Sequence, residues 1–301
     1  MLGIYPQLQD YTANVQEILH DASAVSWPLS RVVSRINDAR LDVALDMHCV
    51  RQFSTQVQLI QGVEVYNLIG AVCGAVITAP GSNYSGTTVP ITFSAAPAGG
   101  ITATATGTLT AGALTSVNMT QWGQGYLTAP TVTVSGTGSG AAVSPVTMFG
   151  VINPISITYL FNNIRNMLGF LPFTMFQAYM RVFATTAFVS TPAKWTYIAQ
   201  TGNVYIQPPP NQTYISEWDM TAIPSLQLAN PTDVDTQVSL PWARAVEFKA
   251  SEYLLYKHQN FAQVKALEGK YDSMVPRIVM GAGGYRIPNP YNRNYQRMVT
   301  R

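Results

Sequence analysis

The residues able to do chemistry are few and poorly grouped. Asp38, Asp42 and Asp46 recur every four residues with His48 just behind them, which on a helix places three carboxylates along one face. Such a row has the ligand type for a metal ion. Arg31 and Arg35 on the same segment make a solvated, charge-balanced face the expected role instead. His48-Cys49 has the residue types of a base and a nucleophile, but neighbours in a helix point about 100° apart and do not face each other. Asp233 and Asp235 have calcium-ligand chemistry without the spacing of an EF-hand loop around them. Gly281-Ala282-Gly283-Gly284 follows a helical pattern rather than a strand, so it is not a phosphate cradle. His20 and His258 stand alone. No catalytic constellation is assembled, so no enzyme activity, cofactor or metal is expected.

The elements that position these groups fall into two textures. Helical signals run through the first sixty residues: Thr12 or Asn14 as the cap of a short helix to about His20, then Ser26-Trp27-Pro28 ahead of a second. In the second, Val32, Ile36, Ala39, Val43 and Met47 recur at spacings of three and four, an amphipathic helix with one buried stripe. A strand is expected at Val63–Ile69. Charged sequence returns at Arg165, where Phe161–Ala187 reads as two packed helices broken at Gly169 and Pro172. Trp195–Ile198 and Val204–Ile206 flank Thr201-Gly202-Asn203 as a β-hairpin. A long irregular stretch leads to Pro241, and Trp242–Met274 reads as one helix of about 50 Å, ended by Pro276.

Between them, from Val65 to Ile164, the chain carries no Asp, Glu, Lys, Arg or His. The inner part, residues 73–147, replaces charge with Gly, Ser, Thr, Ala, Asn and Gln. No window approaches the roughly 18 consecutive apolar residues of a membrane span. Short alternating runs at Val89–Phe93, Ile101–Thr106, Leu114–Thr120, Thr131–Val134 and Ala141–Thr147 imply a small β-sandwich, immunoglobulin-like, or a barrel. Trp122 and Tyr126, beside Gly123 and Gly125, are its candidate surface aromatics.

Bulk composition narrows the class further. At 301 residues with 47% hydrophobic content the chain has length for about two domains and a real core. Charged residues make up 11%, against a norm of about 25%, and the neutral stretch accounts for most of the deficit. Low charge also suits a protein that lives in a large assembly. Two cysteines, Cys49 and Cys73, offer neither a disulfide framework nor a CxxC metal site. The N-terminus lacks the basic start and apolar core of a signal peptide, so synthesis and residence in the cytoplasm are expected. From Arg277 onward five arginines occur with no acid, a tail suited to nucleic acid or an acidic protein surface, or to packing on a neighbouring subunit.

Three segments resemble the head-to-tail adaptor (connector) proteins of tailed bacteriophages. The first is Ile36-Asn37-Asp38-Ala39-Arg40 with Val43, Ala44, Asp46, Cys49 and Arg51. The second runs from Tyr205-Ile206-Gln207-Pro208 through Pro210-Asn211-Gln212 and Tyr214 to Trp218-Asp219-Met220 and Pro224. The third is Pro241-Trp242, Ala245-Val246, Ala250, Asn260, Ala262 and Tyr271, closing with Ile287-Pro288-Asn289-Pro290-Tyr291. The resemblance covers about 1–70 and 150–295. Gly123–Gly136 is similar to β-rich modules of virion tail and fibre proteins.

The resemblance implies an α+β chain, a helix-rich adaptor body with a long C-terminal helix and β-hairpins, plus an inserted all-β domain. The divisions expected are 1–72 (body, N-terminal helices), 73–147 (insert), 148–275 (body, ending in the long helix) and 276–301 (extended tail). The insert would interrupt a hairpin between Val63–Ile69 and Met148–Ile157. The function implied is structural: a dodecameric ring between the portal protein and a tail nozzle or tail-tube protein, in the virion neck, with sequence-independent contact to passing DNA and no membrane anchor. The portal- or neighbour-binding residues would be Tyr285, Arg286, Pro288, Asn289, Pro290, Tyr291, Arg293, Tyr295, Arg297 and Arg301. The rival reading is a carbohydrate- or receptor-binding structural protein that acts through the β-module.

Overall fold

The computed structural model describes residues 5–179, 188–240, 242–257 and 260–282. In chain order the elements open with α1 (Leu8–Ile18), α2 (Leu29–Met47), β1 (Arg51–Leu59) and β2 (Val65–Asn67). The charge-free stretch adds β3 (Ala71–Ser82), β4 (Thr88–Phe93), β5 (Thr104–Thr110), β6 (Ala113–Gln121), β7 (Val132–Val134), β8 (Ser139–Met148) and β9 (Val151–Phe161). Then come β10 (Ile164–Met167), β11 (Gly169–Phe170), α3 (Phe173–Tyr179), β12 (Lys194–Ile198), β13 (Asn203–Gln207) and β14 (Tyr214–Ala222). The last two are α4 (Ala243–Lys257) and α5 (Phe261–Ala282). They form two compact units: Met1–Val50 with Pro224–Arg301, and Arg51–Ile223.

In the first unit α1, α2, α4 and α5 pack around Tyr11, Val15, Val32, Ile36, Val43, Ala250 and Leu254, all buried. The loop before α2 is set by Asp21, whose carboxylate accepts the N–H groups of Val25, Ser26 and Trp27. Pro28 stands immediately before the helix, where its missing N–H costs nothing. α1 begins earlier than its sequence suggests, with the Asp10 carboxylate accepting the Gln7 N–H at 2.9 Å. The expected 50 Å rod is two helices. α5 turns back along α4, so that Lys270 Nζ lies 5.7 Å from the Phe248 ring and Leu255, Val264 and Leu267 share a core. α5 also runs past Pro276 to Ala282.

The second unit is built of strands with one short helix. One sheet has the order β1-β14-β9-β10, a second β11-β12-β13-β2, a third β6-β5-β4-β7, and β3 with β8 forms a long antiparallel ribbon. Among the described strands the pairings are antiparallel except β11 with β12. The ribbon runs from Ala71 opposite Met148 to Ser82 opposite Ser139. Gly70 opens β3 at φ +58, and a Cβ there would lie 2.3 Å from the Tyr126 carbonyl oxygen, so the backbones can approach only at a glycine.

The expectation of a helix-rich body with an inserted β domain is overturned. Fourteen strands and five helices are described, and strands dominate all of Arg51–Ile223, outside 73–147 as well as within it. The two helices expected over Phe161–Ala187 shrink to α3, residues 180–187 lying outside the described residues. The cause is Asn162-Asn163, both at positive φ (50° and 61°), which close a two-residue hairpin with Phe161 opposite Ile164. The proposed hairpin between Val63–Ile69 and Met148–Ile157 is absent: β2 pairs with β13, and β9 with β14 and β10. The stretch read as irregular before Pro241 contains β14, a central strand with Trp218 fully buried.

Candidate functional site

The carboxylate row of α2 is used by its own unit. Asp38 pairs with Arg35 at 2.8 Å on the surface. Asp42 accepts a hydrogen bond from the Tyr253 hydroxyl of α4, and Asp46 one from the Tyr271 hydroxyl of α5 at 2.9 Å. Lys249 Nζ sits between these tyrosines, 5.3 and 5.2 Å from their ring centroids and 3.1 Å from Glu252. Burial pushes the Asp42 carboxyl above the ordinary carboxylate range; Lys249 pulls it back, and Asp46 and Asp38 push it further up. Burial raises Glu252 as well, against its pairing with Lys249. The row therefore fastens α4 and α5 to α2.

Asp235 is the centre of a buried hub. Arg40, almost fully buried, donates from Nε at 2.7 Å and Nη2 at 2.8 Å to its two carboxylate oxygens. Tyr11 donates its hydroxyl at 3.2 Å, and the N–H groups of Gln237 and Val238 each donate at 3.1 Å. Asn37 ties down the same segment, donating to the Leu228 carbonyl and accepting the Leu228 N–H. Arg40 also reaches the Leu226 carbonyl at 2.7 Å. The Ile36–Arg40 motif thus holds residues 226–238 onto α2. Asp233 closes a turn by accepting the N–H groups of Ala229 and Asn230, which hold its carboxyl below the ordinary range.

Neither thiol is poised to react. Burial pushes Cys49 up to about 12 and raises Cys73, which is wholly buried and donates toward the Val146 carbonyl at 3.4 Å. His48 is the left-handed C-cap of α2, at φ 49°. Among the described residues no group of three or more His, Cys, Asp or Glu is arranged to hold a metal ion.

The two surface aromatics are interior. Trp122 is 8% exposed, donates from Nε1 to the Gln58 carbonyl at 2.7 Å, and packs with Tyr66 at 4.7 Å and Trp218 at 5.8 Å. Tyr126 is 5% exposed and donates its hydroxyl to the Ser94 carbonyl at 2.8 Å. Neither presents a ring to a sugar. The reason is a long-range contact: Gln58 of β1 inserts its carboxamide beside β6, donating to the Val117 carbonyl and accepting the Met119 N–H, both at 2.6 Å. That side chain serves β6 as one residue of a neighbouring strand would, and it draws the Trp122 loop into the core.

Exposed apolar surface is concentrated elsewhere in the strand unit. Phe161, Ile164, Met167, Phe170 and Met175 are 42, 62, 69, 55 and 53% exposed along the end of β9, the edge strand β10, β11 and α3. Arg165, in their midst, is paired in bidentate fashion with Glu217 at 2.8 and 3.0 Å, which holds the Glu217 carboxyl below its ordinary range. Arg51 makes the matching pair with Asp219 two residues along β14. Tyr285, Arg286, Pro288, Asn289, Pro290, Tyr291, Arg293, Tyr295, Arg297 and Arg301 lie outside the described residues.

Among the described residues no helix is long and apolar enough to cross a membrane. No protein-family model matches the chain, and no curated protein matches it.

Proposed function

We propose that this chain is a structural virion protein, a head-to-tail adaptor that assembles as a ring between portal and tail, with DNA passing through. The observation that carries the reading is the apolar edge of the strand unit. Five large apolar side chains stand exposed within fifteen residues, on and beside a short edge strand, and Arg165 among them is paired with Glu217. Exposed apolar side chains on both faces of a short edge strand and beside it suit burial against a neighbour, and strand edges are natural pairing surfaces. Closed rotational symmetry would turn one such contact, repeated, into a ring. The buried hub and the carboxylate–tyrosine fastenings suit a subunit whose task is rigidity. Portal and tail-tube proteins are the partners implied by the three resembling segments.

Sedimentation of the purified chain and cryo-electron microscopy of virions that carry it test the reading. The expected results are a discrete ring-sized oligomer and density at the neck. A chain that stays monomeric at high concentration and is absent from particles would overturn it.

A second reading has its own observation. The outer face of the β6-β5-β4-β7 sheet is uncharged and hydroxyl-lined, with Thr92 and Thr133 Oγ1 atoms 2.6 Å apart and Thr104 and Thr120 likewise. It is a surface for a neutral, hydroxyl-rich receptor. Loss of host adsorption by assembled particles after Thr92→Lys and Thr104→Lys would favour it.

A further inference from the structure

The charges of this chain are divided between its parts. Every acid except Glu64, Glu217 and Asp219 lies in 1–50 or 224–282, and these two stretches together are net acidic. Residues 283–301 carry Arg286, Arg293, Arg297 and Arg301 with no acid. The helical unit also leaves one helix face uncovered among the described residues. On α2, Ser34, Asp38, Leu41 and Leu45 follow one another at spacings of four, three and four, and Leu41 and Leu45 are 39 and 44% exposed. Asp42 and Asp46 flank them, each accepting one tyrosine hydroxyl and retaining carboxylate capacity for a further donor. A ridge of two leucines is bordered by three aspartates, with Arg31 and Arg35 on the same helix. Arg35 takes one oxygen of Asp38, which leaves Asp42, Asp46 and the other Asp38 oxygen for a segment that alternates arginine with tyrosine and aliphatic residues. In 283–301, Tyr285, Ile287, Tyr291, Tyr295 and Val299 stand between the arginines.

We propose that this face of α2 is the docking surface for residues 283–301 of a neighbouring copy. Extended, nineteen residues span roughly 60 Å. α5, with 22 residues the longest helix among the described residues, is about 33 Å long, so a segment of that length would suffice to reach a neighbouring copy. Arginine guanidinium groups would take the free lone pairs of Asp38, Asp42 and Asp46, where planar donors match carboxylates. The tyrosine and aliphatic side chains would cover Leu41 and Leu45. An arm that passes from each subunit to the next is a heterologous contact, the kind that closes a ring. The inference rests on the assembly reading above, because it needs a second copy.

The test uses the full-length chain in two single-cysteine forms, Leu45→Cys and Met298→Cys, each also carrying Cys49→Ser and Cys73→Ser. Mixed and mildly oxidised, they are expected to give a cross-linked heterodimer. Arg286→Glu, Arg293→Glu, Arg297→Glu and Arg301→Glu together should lower its yield roughly tenfold, as added salt should. Leu41→Ser should lower it too while the circular dichroism spectrum is unchanged. A chain with both cysteines that closes only on itself would overturn the inter-subunit docking. Absence of any cross-link in a chain that still sediments as an oligomer would overturn the docking and leave the assembly reading standing. A wild-type chain that sediments only as a monomer would overturn both.

Discussion

The two units solve the problem of buried polarity in opposite ways. The helical unit keeps charge and pairs it: Arg40 with Asp235 in the interior, and Tyr253 and Tyr271 with carboxylates of α2. The strand unit carries little charge, its pairs Arg51–Asp219 and Arg165–Glu217 having solvent-exposed arginines. It satisfies buried polar atoms with amides, hydroxyls and indoles, as where Gln58 completes the edge of β6 and Ser216 links the Trp218 indole to the Val57 carbonyl. Helices satisfy their own backbones, so helix-to-helix contacts must be specified by side chains, and charged pairs do this directionally. Strands specify neighbours through the backbone itself, which leaves side chains free to be neutral. The uncharged run from Val65 to Ile164 follows from that division.

The comparison is broken most severely at the buried pair. Asp235→Ala leaves the Arg40 guanidinium buried without its counter-charge and should cost the helical unit about 3–5 kcal/mol. Urea unfolding, read by pulse hydrogen exchange on peptides of each unit, should show that loss in α1, α2 and α4. Arg40→Met combined with Asp235→Leu should recover most of it, since removing both charges leaves no orphan. A loss under about 1 kcal/mol in the single variant would mean that the hub does not fasten the helical unit.

The matching change in the strand unit is Gln58→Leu. It keeps the volume but strips partners from the buried Val117 carbonyl and Met119 N–H, at a cost of roughly 2–3 kcal/mol. Exchange should rise first in β6. An unchanged β6 would mean that its edge is satisfied in another way.

Both fastenings show where the sequence was legible. β4, β6, β7 and β8 lie within about two residues of their alternating runs, because Gly and Pro punctuation is local. α2 and the β12–β13 hairpin were readable for the same reason. β14 was not, although Tyr214, Ser216, Trp218 and Met220 alternate with Ile215, Glu217 and Asp219. Its partners β1 and β9 are remote in the chain, and the Pro208–Pro210 run masks its start. The aromatics misled for a related reason. Trp122 follows a neutral strand and precedes a glycine, which reads as a surface turn, and only remote contacts, with Gln58, Tyr66 and Trp218, make it core. The α2 carboxylates were read as a solvated face. Two of them meet tyrosines more than 200 residues distant.

A smaller effect isolates one such fastening. Tyr271→Phe removes the hydroxyl that Asp46 accepts while leaving the ring against Lys249, and should cost about 1 kcal/mol, seen as faster exchange in α5 before α4. A loss confined to the strand unit would contradict the placement.

The gentlest probe is pH, and the two units should answer with opposite signs. In the helical unit Asp42, Glu247 and Glu252 are raised above the ordinary carboxylate range, each chiefly by burial. The folded unit binds these protons more readily than the unfolded chain does. Its stability should therefore rise as pH falls from neutrality toward the ordinary range, where the unfolded carboxyls begin to protonate too. In the strand unit Glu217 is lowered by Arg165, so its contribution is complete above the ordinary range and is lost as pH falls through the folded value. Asp233, lowered by backbone N–H groups, opposes the helical trend only at that same acidic end. Urea midpoints of the two units, followed by peptide-resolved exchange between pH 7 and 4, should diverge first in favour of the helices. Glu217→Gln should flatten the strand unit's acid limb alone, since Arg165 then has no carboxylate to lose.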